Sequence, residues 1–300
     1  MGNFYSGITD ADGKYVVPEP LAKEILGKIE INSGAIPFLR KWPMSSKTED
    51  ITLVDDEPEA SVVSTEGGTK STSKGTFSQI TLTTKEVAVI MPFTDEWAEN
   101  AQITALSFLR EEGAKAIAKK LDRIYLGYED TGTFTENISG DIPAAHTIAK
   151  GTGTDLLEDL SDALGAIEED GFTENIAWLT HPAVKKEFRN LRDDNGLPIF
   201  QPANGAEPAT LFGYPIRFSR NMIKTGSPSD YEMVVGDWHY GIEGIRMGLR
   251  YDVTNQATVT IGGTATNLWE KNMSAVKLWI RRAFRLRDVN AFAKVTGMTG

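Results

Sequence analysis

Between Ile103 and Leu126 the chain repeats at steps of three or four. Ile103, Leu106, Arg110, Gly113 or Ala114, Ile117, Leu121 and Ile124 make one mostly apolar stripe, while Glu111, Glu112, Lys115, Lys119, Lys120 and Arg123 fall largely outside it. That spacing predicts a long amphipathic helix. At ~1.5 Å per residue the 24 residues from 103 to 126 give a rod of roughly 36 Å, longer than most globular helices. Gly127 follows as a C-terminal cap residue. Gly113 sits mid-rod, where glycine costs about 1 kcal/mol relative to alanine, and so marks a place where another backbone passes close.

The segments before the rod are poorer in core. Residues 1–17 are polar and predict a loose arm; Pro18 and Pro20 then open a short helix through Leu21, Ile25, Leu26 and Ile29, ended by Asn32-Ser33-Gly34. Ile36 to Leu39 and Trp42-Pro43-Met44 are apolar but interrupted by proline, the pattern of an extended segment that needs a surface to lie on. Ile51 to Val54 predicts a strand, and the alternation from Phe77 to Met91 predicts another. Asp55 to Thr76, which joins them, far exceeds a hairpin loop of about 2 to 5 residues. With only Val62 and Val63 strongly apolar it cannot build its own core. It reads as a two-stranded arm ordered by a neighbouring molecule, with a floppy surface loop as the alternative.

After the rod, Thr131 to Lys150 is a polar connector. Thr154 or Asp155 then caps a helix to about Glu169, with Leu157, Leu160, Leu164 and Ile167 on one face. Ile176 to Thr180 is a buried strand, His181-Pro182 opens a helix to about Leu191, and Asp194-Asn195-Gly196 is a turn. Short strands follow at Leu211 to Ser219, Glu232 to Val235 and Gly244 to Val253. Alternating Val276, Leu278 and Ile280 begin a final strand that ends at Ala291-Phe292-Ala293. The fold class is α+β, with the middle third as an inserted domain.

Composition narrows the function classes. The 300 residues hold no cysteine, which removes disulfides and thiolate metal sites. No apolar run approaches the ~18 residues of a membrane span, and the N-terminus lacks a secretory pattern, so neither a membrane nor an exported protein is expected. The net charge of −11 argues against sequence-specific nucleic-acid binding. Catalytic signals are weak. His146, His181 and His239 lie in unrelated contexts, and His181 before Pro182 suits a turn or cap. Gly151-Thr152-Gly153-Thr154 lacks the third glycine of a dinucleotide site, and Asp10-Ala11-Asp12-Gly13 lacks the spacing of a calcium loop. No catalytic residue, cofactor or metal ligand is expected. Arg281, Arg282, Arg285 and Arg287 contact either packaged nucleic acid, acidic neighbours or, the preferred reading, the chain's own carboxylates.

The order of the segments carries more information than any one of them. VVPEPLAKEIL, the polar hairpin ending KGTFSQITLTTKEVAVIMPFTDEWAEN, the rod ending LDRIYLGYED, then IAWLTHPAVKKEFRNLRDDNG, LFGYPIRFSRNM, VVGDWHYGI and NLWEKNMSAVKLWIRRAFRLRDVNAFAKV succeed one another. This succession resembles the major capsid proteins of tailed bacteriophages, the Hong Kong 97-like fold, from about Val16 to Val295. The resemblance implies an N-terminal arm and short helix (1–44), an extended E-loop hairpin (45–92), a P domain with the long spine helix (93–150) and C-terminal strands (265–300), and an inserted A domain (151–264). It implies self-assembly through pentamers and hexamers into an icosahedral head that encloses double-stranded DNA by confinement. The expected location is the virion, after assembly in the host cytoplasm.

Site expectations follow from the same resemblance. Glu57, Glu66, Lys70, Lys74 and Phe77 of the E-loop would meet a neighbouring subunit, and Lys271, Asn272 and Met273 would form a P-domain contact. Some family members join an E-loop lysine to the asparagine of such a K-N-M segment, aided by a glutamate seven residues on. Here Lys70 or Lys74 could supply the amine, but Trp279 stands at the glutamate's place and cannot accept its proton, so no cross-link is expected. No long scaffolding segment precedes the arm, so scaffolding is a separate protein, a segment already removed, or unnecessary; a portal is the other expected partner. An encapsulin shell of the same fold is the alternative, and a carboxylate hydrolase the rival from another class.

Overall fold

The stripe from Leu106 to Ile124 closes on a β-sheet. The computed structural model of the chain describes residues 27–56, 76–100, 105–153, 155–191, 209–223 and 231–298. In chain order they form helix α1 (27–32), strands β1 (Arg40–Pro43), β2 (Thr48–Asp56), β3 (Thr76–Thr83) and β4 (Lys85–Thr94), and helices α2 (Asp95–Asn100), α3 (Ala105–Tyr125) and α4 (Ile138–Asp141). Next come β5 (Thr147–Ala149), α5 (Leu156–Glu169), β6 (Ile176–Thr180), α6 (Lys185–Asn190), β7 (Thr210–Leu211), β8 (Tyr214–Phe218) and β9 (Tyr231–Asp237). The chain ends with β10 (Gly241–Thr254), β11 (Thr258–Ile261), β12 (Thr264–Asn267), β13 (Met273–Leu286) and β14 (Phe292–Met298). The N-terminal arm and the Asp194-Asn195-Gly196 turn lie outside the described residues.

Helix α3 is the predicted rod. It buries Leu109, Ala114, Ile117, Ala118, Leu121, Ile124 and Tyr125 against Val276, Leu278 and Ile280 of β13 and Val87 of β4. Gly127 (φ 80°) ends it: Tyr128 N–H donates to the Arg123 carbonyl and Gly127 N–H to that of Ile124, the paired bonds of a Schellman cap. The close approach expected at Gly113 is made by side chains, not by a backbone. A Cβ there would lie 2.2 Å from Leu278 Cδ1 and 2.8 Å from Met91 Cε.

The sheet beneath α3 has the order β1-β10-β13-β4. A second, six-stranded sheet, β5-β14-β9-β6-β8-β7, carries α5 on one face through Leu160, Ala163, Leu164 and Ile167 against Trp178, Val235 and Val295. Asp155 caps α5, accepting from Leu157 and Glu158 N–H. β6 is buried along its whole length, as its unbroken apolar run requires. Ala177, Leu179, Val234 and Trp238 share one core with the residues of α3, so the two sheets meet.

Several expectations need correction. The alternation from Phe77 to Met91 is two strands: the chain bends at Thr84, whose N–H and hydroxyl both donate to the Lys47 carbonyl, and β3 pairs with β2 while β4 pairs with β13. The final strand is likewise two, β13 and β14, separated by a turn in which Asp288 accepts from Asn290 N–H. β10 lies between β1 and β13, and β14 lies between β5 and β9. Residues 131–150 are no mere connector, since Phe134, Ile138 and Ile142 are buried in the shared core.

Candidate assembly surfaces and the polar ties behind them

The β2–β3 hairpin is pinned at its base. Ile51 and Leu82 pack with Met44, Ile242 and Ala283 in a small separate core, and the ladder then runs from Thr48 opposite Thr83 to Asp56 opposite Thr76. Near its far end Phe77 is 70% exposed, a large apolar side chain left to water. Glu57, Glu66, Lys70 and Lys74 fall outside the described residues. Lys271 and Asn272 are exposed and Met273 half-buried at the head of β13. Asn272 adopts the left-handed conformation (φ 50°), and its carbonyl accepts from Asp95 N–H at 3.0 Å. Trp269, next to them, is 71% exposed. Trp279 lies six residues into β13, its ring 4.7 Å from the Lys277 ammonium.

Each histidine has a partner within the chain. His146 Nδ1 lies 3.1 Å from the Phe292 carbonyl and its Nε2 3.4 Å from Asp170. His181 accepts from Ala183 N–H as a cap and stacks on Tyr231 at 4.4 Å; burial, helped by the charge of Arg220, pushes its pKa down. His239 Nδ1 lies 2.6 Å from the Asn175 amide. The Gly151–Gly153 turn is filled by the chain's own acid, since the buried Asp159 accepts from Gly151 and Gly153 N–H, both at 2.7 Å. The arginines answer to carboxylates of this chain: Arg281 to Glu86 (3.0 Å), Arg282 to Glu243 (3.2 Å) and Arg285 to Glu136 (3.2 Å), while Arg287 lies over the Tyr240 ring.

The sequence reading missed the buried carboxylates that tie these elements together. Asp122 of α3 is fully buried and accepts from Ser33 Oγ, Gly34 N–H (2.7 Å), Ala35 N–H (3.3 Å) and Asn221 Nδ2 (2.6 Å). It thus joins the exit of α1, the rod and the loop after β8. Burial raises its pKa, and the four donors only partly offset that. Glu243 takes the Arg282 pair and the Tyr125 hydroxyl (3.1 Å). Glu232 accepts from Tyr128 (3.2 Å) and Ser139 (2.5 Å). For Asp122 a signal existed, because Ala118 and Tyr125, one turn to either side, put it on the apolar face.

Solved structures share this arrangement. One from Microbacterium phage Oxtober96 matches with a TM-score of 0.72 at 26% identity, covering 88% of this chain and 90% of that one. The capsid of a native GTA particle covers 99% and 94% with a TM-score of 0.65, at 13% identity a likeness of fold alone. The fold is therefore the Hong Kong 97-like capsid fold. Among curated proteins, the probable major capsid protein of Mycobacterium phage D29 is 27% identical over 95% of this chain and 90% of its own length. The major capsid protein of Staphylococcus phage 80alpha is 25% identical over 90% and 82%. Residues 13–297 match the phage capsid family, and the chain belongs to it.

Proposed function

We propose that this chain is a major capsid protein that assembles through pentamers and hexamers into an icosahedral phage head. The observation that carries the reading is the family match from residue 13 to residue 297. The four-stranded sheet with α3 acts as the P domain, the six-stranded sheet as the A domain, and the β2–β3 hairpin as the E-loop. In this reading β10 belongs to the P domain and β14 to the A domain. Glu57, Glu66, Lys70, Lys74 and Phe77 meet a neighbouring copy, and Lys271, Asn272 and Met273 form a second contact. The exposed Phe77 and Trp269 support both, because large apolar groups left to water mark interfaces when a partner exists to cover them.

The shell holds because many modest contacts per copy are repeated by closed symmetry. The protein is structural and not an enzyme, resides in the virion after assembly in the host cytoplasm, and works with a scaffolding protein and a portal. Double-stranded DNA is held by confinement, in keeping with the net charge of −11. The phage origin of the curated relatives favours this reading over an encapsulin shell. Light scattering of the purified protein tests it: pentamers, hexamers or closed particles are expected, and a strict monomer, even with its scaffolding partner, would overturn it.

A further inference from the structure

The ladder of β6 stops at Thr180, opposite Met233 of β9 and Phe218 of β8. The next residue, His181, makes two contacts at once. Its Nδ1 accepts from Ala183 N–H at 3.1 Å, closing the turn that leads into α6, and its ring lies flat on Tyr231, 4.4 Å away with 4° between the planes. Pro182 has no N–H, so Ala183 carries the first backbone donor of that turn and His181 is its acceptor. The bond sets the tautomer. An Nδ1 that accepts holds no proton, so the neutral ring carries its hydrogen on Nε2.

A further proton can go only to Nδ1. There it would face Ala183 N–H, donor against donor, and the bond would be lost. Burial, and then the positive charge of Arg220 in the turn after β8, hold the pKa of His181 below its ordinary value. From β9 it meets the Tyr231 ring, and on its own side Lys185 lies over the Phe218 ring at 4.3 Å. The nearby carboxylates are engaged elsewhere, Glu232 with Tyr128 and Ser139 and Glu187 with Lys150. The folded chain therefore resists a proton that the unfolded chain takes up near pH ~6.5. Stability that is present above that pH is lost as the pH falls through the folded-state pKa.

What the bond holds is small but well anchored. Helix α6 has six residues, too few to stand alone, and the turn and helix together set the fully buried Val184 and Phe188 into the core that α5 also covers. We propose that His181 is an acid-released catch: on protonation it lets go of Ala183 N–H and frees the start of α6 from the end of β6. The catch lies within one chain and needs no second copy, so it stands apart from the shell-building reading. In an assembled head it would make the six-stranded unit yield first in acid, by local opening rather than global unfolding.

Hydrogen exchange of the full chain, read by mass spectrometry from about pH 7.5 to about pH 5 and corrected for the intrinsic pH dependence of exchange, tests the catch at residues 183–188. Protection there is expected to fall about fivefold or more on acidification, the worth of a lost cap, while Trp178 at the centre of β6 keeps its own. His181→Asn, whose side-chain oxygen caps without titrating, should hold protection level across the range. His181→Ala should show the low protection already at neutral pH, and Arg220→Gln should move the loss to higher pH. Because His146 and His239 lie elsewhere in the fold, a fall that His181→Asn abolishes belongs to His181. Wild-type protection that does not change with pH, an equal fall in His181→Asn, or ordinary neutral protection in His181→Ala would overturn the proposal.

Discussion

Replacing Gly113 with alanine sets two effects of known sign against each other. On an exposed helix the change would stabilise by about 1 kcal/mol, since alanine is the better helix former. Here the new methyl carbon would lie 2.2 Å from Leu278 Cδ1 and 2.8 Å from Met91 Cε, against an ordinary carbon–carbon separation of ~3.5–4.0 Å. The Met91 methyl is the free end of a flexible chain and yields. Leu278 is fully buried between α3 and β13's neighbours, so it must move by more than an ångström or push the helix outward. Overpacking of this kind costs about 1–3 kcal/mol, leaving a net loss of up to about 2 kcal/mol. With an unfolding entropy of about 2.1 cal/mol/K per residue, that lowers the melting temperature of a 300-residue chain by up to about 3 °C.

Calorimetry of the unassembled protein is the assay, because assembly adds stability by mass action. Leu278→Ala alone is expected to cost about 2–5 kcal/mol. The double variant G113A/L278A should cost less than the sum of the two by about 1 kcal/mol or more, as the added methyl fills part of the space vacated. A Gly113→Ala protein that melts higher than wild type, with strict additivity in the pair, would refute the claim that Leu278 and Met91 press on the rod.

Other perturbations act on the buried carboxylates and the K-N-M segment. Asp122→Ala strands four donors and should cost about 3 kcal/mol or more. Because burial raises the folded-state pKa of Asp122 above its unfolded value near 3.9, the folded chain holds the extra proton in the interval between them. Wild-type stability should therefore fall relative to Asp122→Asn as pH rises from about 4 through that interval. Parallel urea midpoints for the two proteins across this range would contradict the assignment. Asp159→Ala removes both acceptors of the Gly151–Gly153 turn, so the amides of Gly151 and Gly153 should lose protection in hydrogen exchange while Trp178, at the centre of β6, keeps it; unchanged protection would show that the turn holds itself. Mature particles boiled in detergent should run as monomer, since Trp279 offers no base, and a ladder of covalent oligomers would refute that.

What the sequence made legible was periodic or capped. The rod, its Gly127 end, the Asp155 cap and the buried strand β6 each follow from a local pattern that the tertiary structure reinforces. The changes of partner at Thr84 and at Asp288 were not legible: the apolar positions shift phase there, from Ile80 and Leu82 to Val87 and Val89 and from Phe284 and Leu286 to Val289 and Ala291, but a phase shift alone does not show which strand pairs with which. Residues 131–150 looked polar because Phe134, Ile138 and Ile142, their buried apolar side chains, are too few to establish a period. Of the site, the arginine pairing could be read from charge alone, and the cap role of His181 from the proline after it. Asp122 showed its place on the apolar face but not its partners, for an aspartate inside a helix meets its donors only when segments about 90 and 100 residues away are brought to it.

Electron microscopy of the purified protein tests the central claim most directly. Closed icosahedral particles built from pentamers and hexamers, with each hairpin laid over an adjacent copy, are the predicted result. A uniform population of single chains, unchanged by concentration or salt, would contradict the account.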